Sequence, residues 1–211
     1  MFFDPERINI MRKMVLADTT EKRQEQLDQL FFFQKDDMRG MFKAMDGLPV
    51  TIRLLDPPLH EFLPQDDNAC ELIGDLQEVK RRCEELQEVN PMLGFRGCRL
   101  SIIYPEITVM QVKAIMTAAC EASKDGVTPV VEIMIPVVST SKEVEFILPL
   151  IKETANEVLV HYGLRIPYKV GTMIELPRAC ARADDIAKAG ADFFSFGSND
   201  LTQSVYGEFN A

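Results

Sequence analysis

Glu175 and Asp200 each close a short apolar run that an α/β protein would use as a strand. The runs are Tyr168-Lys169-Val170-Gly171-Thr172-Met173-Ile174-Glu175 and Phe193-Phe194-Ser195-Phe196-Gly197-Ser198-Asn199-Asp200. Carboxylates at two neighbouring strand ends make a pair suited to a divalent metal. A hard cation such as Mg²⁺ takes carboxylate oxygens and keeps positions open for substrate and water. Gly197 lets backbone approach a bound molecule, and Ser198 and Asn199 offer hydrogen bonds beside it. Plainer readings stay open. Glu175 could be a helix cap or a surface ion pair, and Asp200 could be the N-cap of the segment after it.

A second group is basic. Arg53 and Asp56 end the run Pro49-Val50-Thr51-Ile52-Arg53, which Pro57 and Pro58 stop, and such charges mark a strand mouth. Arg96 sits in the glycine-flanked run Gly94-Phe95-Arg96-Gly97. Arg53 and Arg96 are candidate catalytic cations, and Asp56 reads as the partner that orients an arginine. Purely structural ion pairs remain the alternative for all three.

The elements that must position these residues alternate. After two polar helices between residues 4 and 46, strands are expected near Ile52, Phe95, Ile133, Ile174 and Phe196. Helices are expected over 71–89, 109–123, 141–163 and 179–189. A β-α alternation of this kind gives a parallel sheet with its site at the strand C-termini. The near-continuous apolar run Val130–Val138 reads as a strand covered on both faces. The fold expected is α/β, a TIM-type (β/α)8 barrel, incomplete, with about five or six of the eight βα units present. It occupies residues 1–211 as one partial domain.

Composition narrows the partners. Among 211 residues, 33 are acidic and 23 basic, and the net charge of −10 argues against nucleic acid or an anionic membrane. A few arginines can still build a local anion pocket. Neither a signal peptide nor an apolar run long enough to span a bilayer is visible, so a cytoplasmic setting is expected. The cysteines (Cys70, Cys83, Cys98, Cys120 and Cys180) are odd in number and lack a C-x-x-C spacing, so reduced thiols are expected. His60 and His161 read as structural, and Arg99 and Arg178 as solvated or salt-bridged.

Two motifs carry a resemblance. Gly171-Thr172-Met173-Ile174-Glu175-Leu176-Pro177 and Gly197-Ser198-Asn199-Asp200-Leu201-Thr202-Gln203 resemble the strand ends that form the magnesium and enolpyruvate site of phosphoenolpyruvate (PEP)-utilising enzymes. Arg53-Leu54-Leu55-Asp56-Pro57-Pro58-Leu59-His60-Glu61-Phe62 and Asn90-Pro91-Met92-Leu93-Gly94-Phe95-Arg96-Gly97 resemble the pyruvate, phosphate dikinase branch of that family. The likeness runs from about Met1 to Gln203.

The resemblance implies the PEP/pyruvate-binding part of an enzyme that turns ATP, pyruvate and phosphate into AMP, PEP and diphosphate. Its step is phosphoryl transfer between a phosphohistidine and the pyruvate enolate. It further implies Mg²⁺ held by Glu175 and Asp200, and phosphoryl oxygens gripped by Arg53 and Arg96. Substrate would be bound by Arg53, Glu175, Gly197, Ser198, Asn199 and Asp200. Implied partners are the phosphohistidine domain of the same full-length enzyme and a second copy, as a dimer. A targeting segment upstream would move the protein into an organelle such as a plastid.

The family's phosphate-binding arginine falls just before the segment matching Met1-Phe2-Phe3. Its enolate-protonating cysteine falls beyond Gln203, and Glu208-Phe209-Asn210-Ala211 no longer matches. Other readings are another PEP-utilising enzyme (pyruvate, water dikinase or the phosphotransferase-system enzyme I) and a truncated, non-catalytic binding or association module. A free-standing Mg²⁺-dependent enolate enzyme would need a complete barrel.

Overall fold

The computed structural model describes residues 4–64, 66–87 and 94–207, without the side chains of Pro5 and Glu6. The segment Met1–Phe3, the end of the helix expected over 71–89 and the departure at Glu208–Ala211 lie outside the described residues.

Two long helices come first, α1 (Pro5–Leu16) and α2 (Thr20–Ala44). Thr19 caps α2 by accepting the Lys22 N–H. Strand β1 (Pro49–Arg53) leads through a short 3₁₀ turn (Leu59–Phe62) to α3 (Asp67–Glu71) and α4 (Leu76–Leu86). Next come α5 (Cys98–Ile103), α6 (Pro105–Lys124), β2 (Val130–Ile135), α7 (Ser141–Tyr162) and β3 (Tyr168–Ile174). The chain continues through α8 (Pro177–Ala181), α9 (Ala183–Lys188), β4 (Phe194–Phe196) and α10 (Ser198–Tyr206).

The strands form one parallel sheet in the order β1-β2-β3-β4. Among the described residues there are therefore four strands, and the expected one at Phe95 is not among them. Two features exclude it. β1 pairs directly with β2 from Pro49↔Val130 to Arg53↔Met134, leaving no slot between them. Gly97, at φ +58, turns the chain into α5 instead, with the Cys98 N–H bonded to the Pro136 carbonyl. A side chain at 97 would be strained by that φ, and its Cβ would fall 2.7 Å from Val137 Cγ2.

Two expected helices are broken. The segment 71–89 parts at Ile73-Gly74-Asp75, where Asp75 restarts the helix by accepting the Gln77 and Glu78 N–H groups. Leu72 is consequently exposed rather than on a buried face. The segment 179–189 parts at Arg182, which leaves the helical region between α8 and α9.

The sheet's two faces differ. Val50, Ile52 and Leu54, Val131, Ile133 and Ile135, and Val170 and Ile174 pack into one core with α2, α6 and α7. The alternate residues Thr51, Arg53, Glu132, Lys169 and Ser195 are exposed or half-buried, and Thr51 donates a hydrogen bond to Glu132. β1 and the first half of β2 thus alternate, whereas Met134 and, on β3, Gly171 and Met173 are buried on the second face as well. Residues 133–138 are continuously buried, as their apolar run led us to expect. A second core joins α1 and α2 to the 3₁₀ turn, α5 and α6 through Met11, Leu27, Leu30, Phe62, Leu100 and Ile107.

Candidate functional site

All the candidate residues lie at or past strand C-termini or at the turn before α5. Arg53 is the last residue of β1, and Asp56 follows in the loop. Glu175 follows β3 directly, and Gly197 follows β4 directly as the N-cap of α10. Asp200 is in the first turn of α10, where a carboxylate complements the helix dipole. It is therefore not the N-cap that its sequence position allowed.

Arg96 knits these ends together. It is buried, and its Nε and Nη2 donate to Asp56 Oδ1 at 3.2 and 3.0 Å, with Nη2 also 2.9 Å from Oδ2. Its Nη1 crosses to Asp200 Oδ1 at 2.8 Å. Burial works against the guanidinium charge, but Asp56 and Asp200 outweigh it and raise the Arg96 pKa above its ordinary value. Asp56 is also the ion-pair partner of Arg53, at 3.2 Å, which fits the role of an arginine-orienting carboxylate. Arg53 itself is exposed, with Nη1 3.8 Å from Met173 Sδ.

Glu175 is wholly buried. This excludes the surface ion pair as its role. One oxygen, Oε1, accepts the Val137 N–H at 2.6 Å, while Oε2 has no hydrogen-bond partner among the described residues. Burial pushes its pKa up, the Val137 hydrogen bond opposes this, and the charges of Asp56 and Asp200 add to the rise. Val137 holds a positive φ of 58°, costly for a β-branched residue, and among the described residues no other non-glycine does so. Pattern reading missed Val137, because a hydrophobic residue that works through its backbone leaves no sequence signal.

Gly197 has a different physical reason from the one expected. Its N–H reaches the Ile174 carbonyl at 3.3 Å, and an added Cβ would fall 2.3 Å from Glu175 Oε2 and 2.5 Å from Glu175 Cβ. The glycine makes room for the glutamate. Ser198 and Asn199 are exposed at the start of α10.

Among the described residues, no cluster of three or more His, Cys, Asp or Glu side chains is placed to hold a metal. The carboxylates here fit Mg²⁺ better than a closed protein cage, since Mg²⁺ commonly takes one or two carboxylates and completes its shell with water and substrate. The unpartnered Glu175 oxygen is the specific feature that a cation would satisfy. Cys98, behind Val137, is held as a neutral thiol: it donates to the Val137 carbonyl, and burial pushes its pKa up to about 12. The hollow lined by His60, Cys70 and Cys83 belongs to the α3–α4 side of the molecule, and the mouth residues do not line it. Among the described residues no helix is long and apolar enough to cross a membrane.

Residues 1–208 match the family described as PEP-utilising enzyme, PEP-binding domain. Over 214 residues the chain is 54% identical to pyruvate, phosphate dikinase 1, chloroplastic, of Arabidopsis thaliana, covering 98% of this chain and 22% of the relative. It is 52% identical over 216 residues to the chloroplastic pyruvate, phosphate dikinase of Flaveria pringlei, with the same coverage. It is 53% identical over 212 residues to pyruvate, phosphate dikinase of Giardia intestinalis, covering 98% of this chain and 24% of the relative. The chain thus spans less than a quarter of the length of these curated relatives.

Proposed function

This chain belongs to the family of PEP-utilising enzymes, matching its PEP-binding domain, and on that premise we propose that it is the PEP/pyruvate-binding part of a pyruvate, phosphate dikinase. The observation that carries the reading is the set of charges at the sheet's C-terminal mouth: Arg53, Asp56, Arg96 and Asp200 in a chain of ion pairs beside a buried Glu175 with one unpartnered oxygen.

Glu175 and Asp200 are the residues that would hold Mg²⁺, which when bound supplies charge neutralisation for the enolate oxygen. Arg53 and Arg96 present planar, multi-donor cations to the phosphoryl oxygens, a geometry that a lysine does not match. Asp56 holds both arginines in place. Ser198 and Asn199, exposed at the N-terminus of α10, donate toward the substrate carboxylate, and Gly197 keeps Glu175 seated. On this reading the phosphohistidine and nucleotide chemistry of the complete reaction would come from outside the matched segment.

The four-stranded parallel sheet is on this reading part of a (β/α)8 barrel. Its polar face, Thr51, Arg53, Glu132, Lys169 and Ser195, is the barrel interior, and its apolar face carries the outer helices. The outer edges of β1 and β4, unpaired in the described sheet, also favour a second reading, an association module that pairs through these edges.

Calorimetric titration with oxalate, a planar mimic of the enolate, tests the first reading. Oxalate is expected to bind in the presence of Mg²⁺ and not in its absence, and Glu175→Gln or Asp200→Asn should abolish the heat. Equal binding by all three proteins, or binding indifferent to Mg²⁺, would sink the metal assignment. Concentration-dependent sedimentation without oxalate binding would instead support the association module.

A further inference from the structure

The two grips that Arg96 makes are unequal. Toward Asp56 it uses Nε and Nη2 in a forked contact between groups whose side chains are 9% and 6% exposed. Toward Asp200 it uses Nη1 alone, and Asp200 is more open at 16%. The fork on Asp56 fixes the guanidinium in the loop before α5, so the Asp200 contact can be given up without dislodging the side chain.

Asp200 therefore already has a cation. Glu175 does not: its Oε2 is buried without a partner, while Gly197, packed against its side chain, leads into the turn that carries Asp200. A divalent ion that took both carboxylates would stand beside Nη1 of Arg96, like charge against like in a largely dry site. Such an arrangement is unfavourable unless one cation moves.

We propose that Arg96 is the resident counter-cation of Asp200 in the metal-free site, that a divalent ion displaces its Nη1 from Asp200, and that the freed Nη1 then faces the anionic substrate. This inference rests on the metal pair proposed above. Metal binding and arginine release are on this view one event. By linkage, an anion that takes Nη1 must favour the metal as much as the metal favours the anion.

The test needs no turnover. Mn²⁺ binding to the full chain, read by electron paramagnetic resonance without substrate, is compared for the unsubstituted protein, Arg96→Met and Glu175→Gln. Arg96→Met is expected to bind Mn²⁺ about tenfold tighter, within the usual range of site-to-site coupling. Unchanged or weaker binding overturns the proposal, since it makes Arg96 a mere support for Asp200.

Arg96→Met leaves Asp56 buried without its main partner, so a second measurement uses the unsubstituted chain. Arginine side-chain ¹⁵N resonances are followed as Mg²⁺ is added. The Arg96 Nη1 signal should move to the position of an unpaired guanidinium while the Arg23 signals stay fixed. A stationary Arg96 signal during saturable, Glu175-dependent metal binding overturns the inference and leaves the metal pair standing. Absent Mn²⁺ binding, or binding that Glu175→Gln leaves intact, sinks both.

Discussion

Arg23 and Arg96 are both buried arginines, one in the helical scaffold and one at the sheet mouth, and they are satisfied in opposite ways. Arg23 on α2 holds Glu106 at 2.7 Å, donates to the Ala17 carbonyl at 3.1 Å and lies over the Tyr104 ring at 3.9 Å. Its partners are one carboxylate, one carbonyl and one ring, all from the helical scaffold and the turns that join it. Arg96 is shared between one carboxylate from the loop after β1 and another from the first turn of α10, beside a third whose second oxygen is unpartnered. An open atom alone does not separate site from scaffold, since Glu121 Oε2 and Arg39 Nε on the helices are also buried without a hydrogen-bond partner among the described residues. What sets the mouth apart is that the open Glu175 oxygen lies beside two carboxylates sharing one arginine. Charged pairs alone do not mark function, because the α2–α6 surface is also rich in them through Lys35, Arg39, Glu121 and Asp125. The more open of these, Arg39–Asp125, contributes little to stability.

The largest break in this comparison comes from removing one member of each arginine's fixed ion pair. Asp56→Asn is expected to cost about 3–5 kcal/mol in urea unfolding, because a buried guanidinium loses its forked carboxylate, and to abolish oxalate binding as well. Arg23→Met is expected to destabilise by a smaller amount, about 1–3 kcal/mol, since Glu106 is nearer to solvent and the methionine keeps much of the packing. Oxalate affinity in the folded Arg23→Met protein should be unchanged. Loss of binding there would erase the distinction between scaffold and site.

A smaller effect should follow from Gly197→Ala. The added methyl meets both Oε2 and Cβ of Glu175 at under 3 Å, so a flexible side-chain tip cannot simply turn aside. Overpacking of this kind costs about 1–3 kcal/mol. Mg²⁺-dependent oxalate binding should disappear with it, because Glu175 must leave its seat. Retained binding would mean that the glutamate's position is not what the site needs.

The gentlest probe is pH. Glu175 has its folded pKa raised above the ordinary value of 4.5, so within that interval the folded state keeps a proton that the unfolded chain has lost. Metal-free stability should therefore fall as pH rises from 4.5 through the raised value, and Glu175→Gln should flatten that part of the profile. Denaturant midpoints across the interval measure it. An unchanged slope in the variant would place the titration elsewhere.

The motif residues were legible in the chain because strand ends with glycine and carboxylates in fixed spacing are local features. Glu175, Gly197, Ser198, Asn199 and Asp200 all stand where those spacings put them. Arg53 and Asp56 were legible for the same reason, from a β-branched run stopped by prolines. The helix expected from residue 141 was legible too, and in the structure Thr140 and Glu143 cap that start within one turn. The breaks at Gly74 and Arg182 were less legible, since an apolar rhythm continues across each while the backbone does not.

The alternating charge and apolar order of this sequence by itself determined an α/β chain with a parallel sheet and its polar groups at strand ends. What only the tertiary structure decided is which of those groups meet. The run around Phe95 looked like a strand because its composition suits one, yet β1 and β2 pair directly and push it into a turn. That turn carries Arg96 to Asp56, 40 positions away, and to Asp200, 104 positions away. Likewise the Val137 N–H reaches Glu175 across 38 positions, through a strained backbone that no side-chain pattern announces. Periodicity reports which face a residue presents. Packing of distant segments fixes its partner, and here the partner sets both the charge and the role.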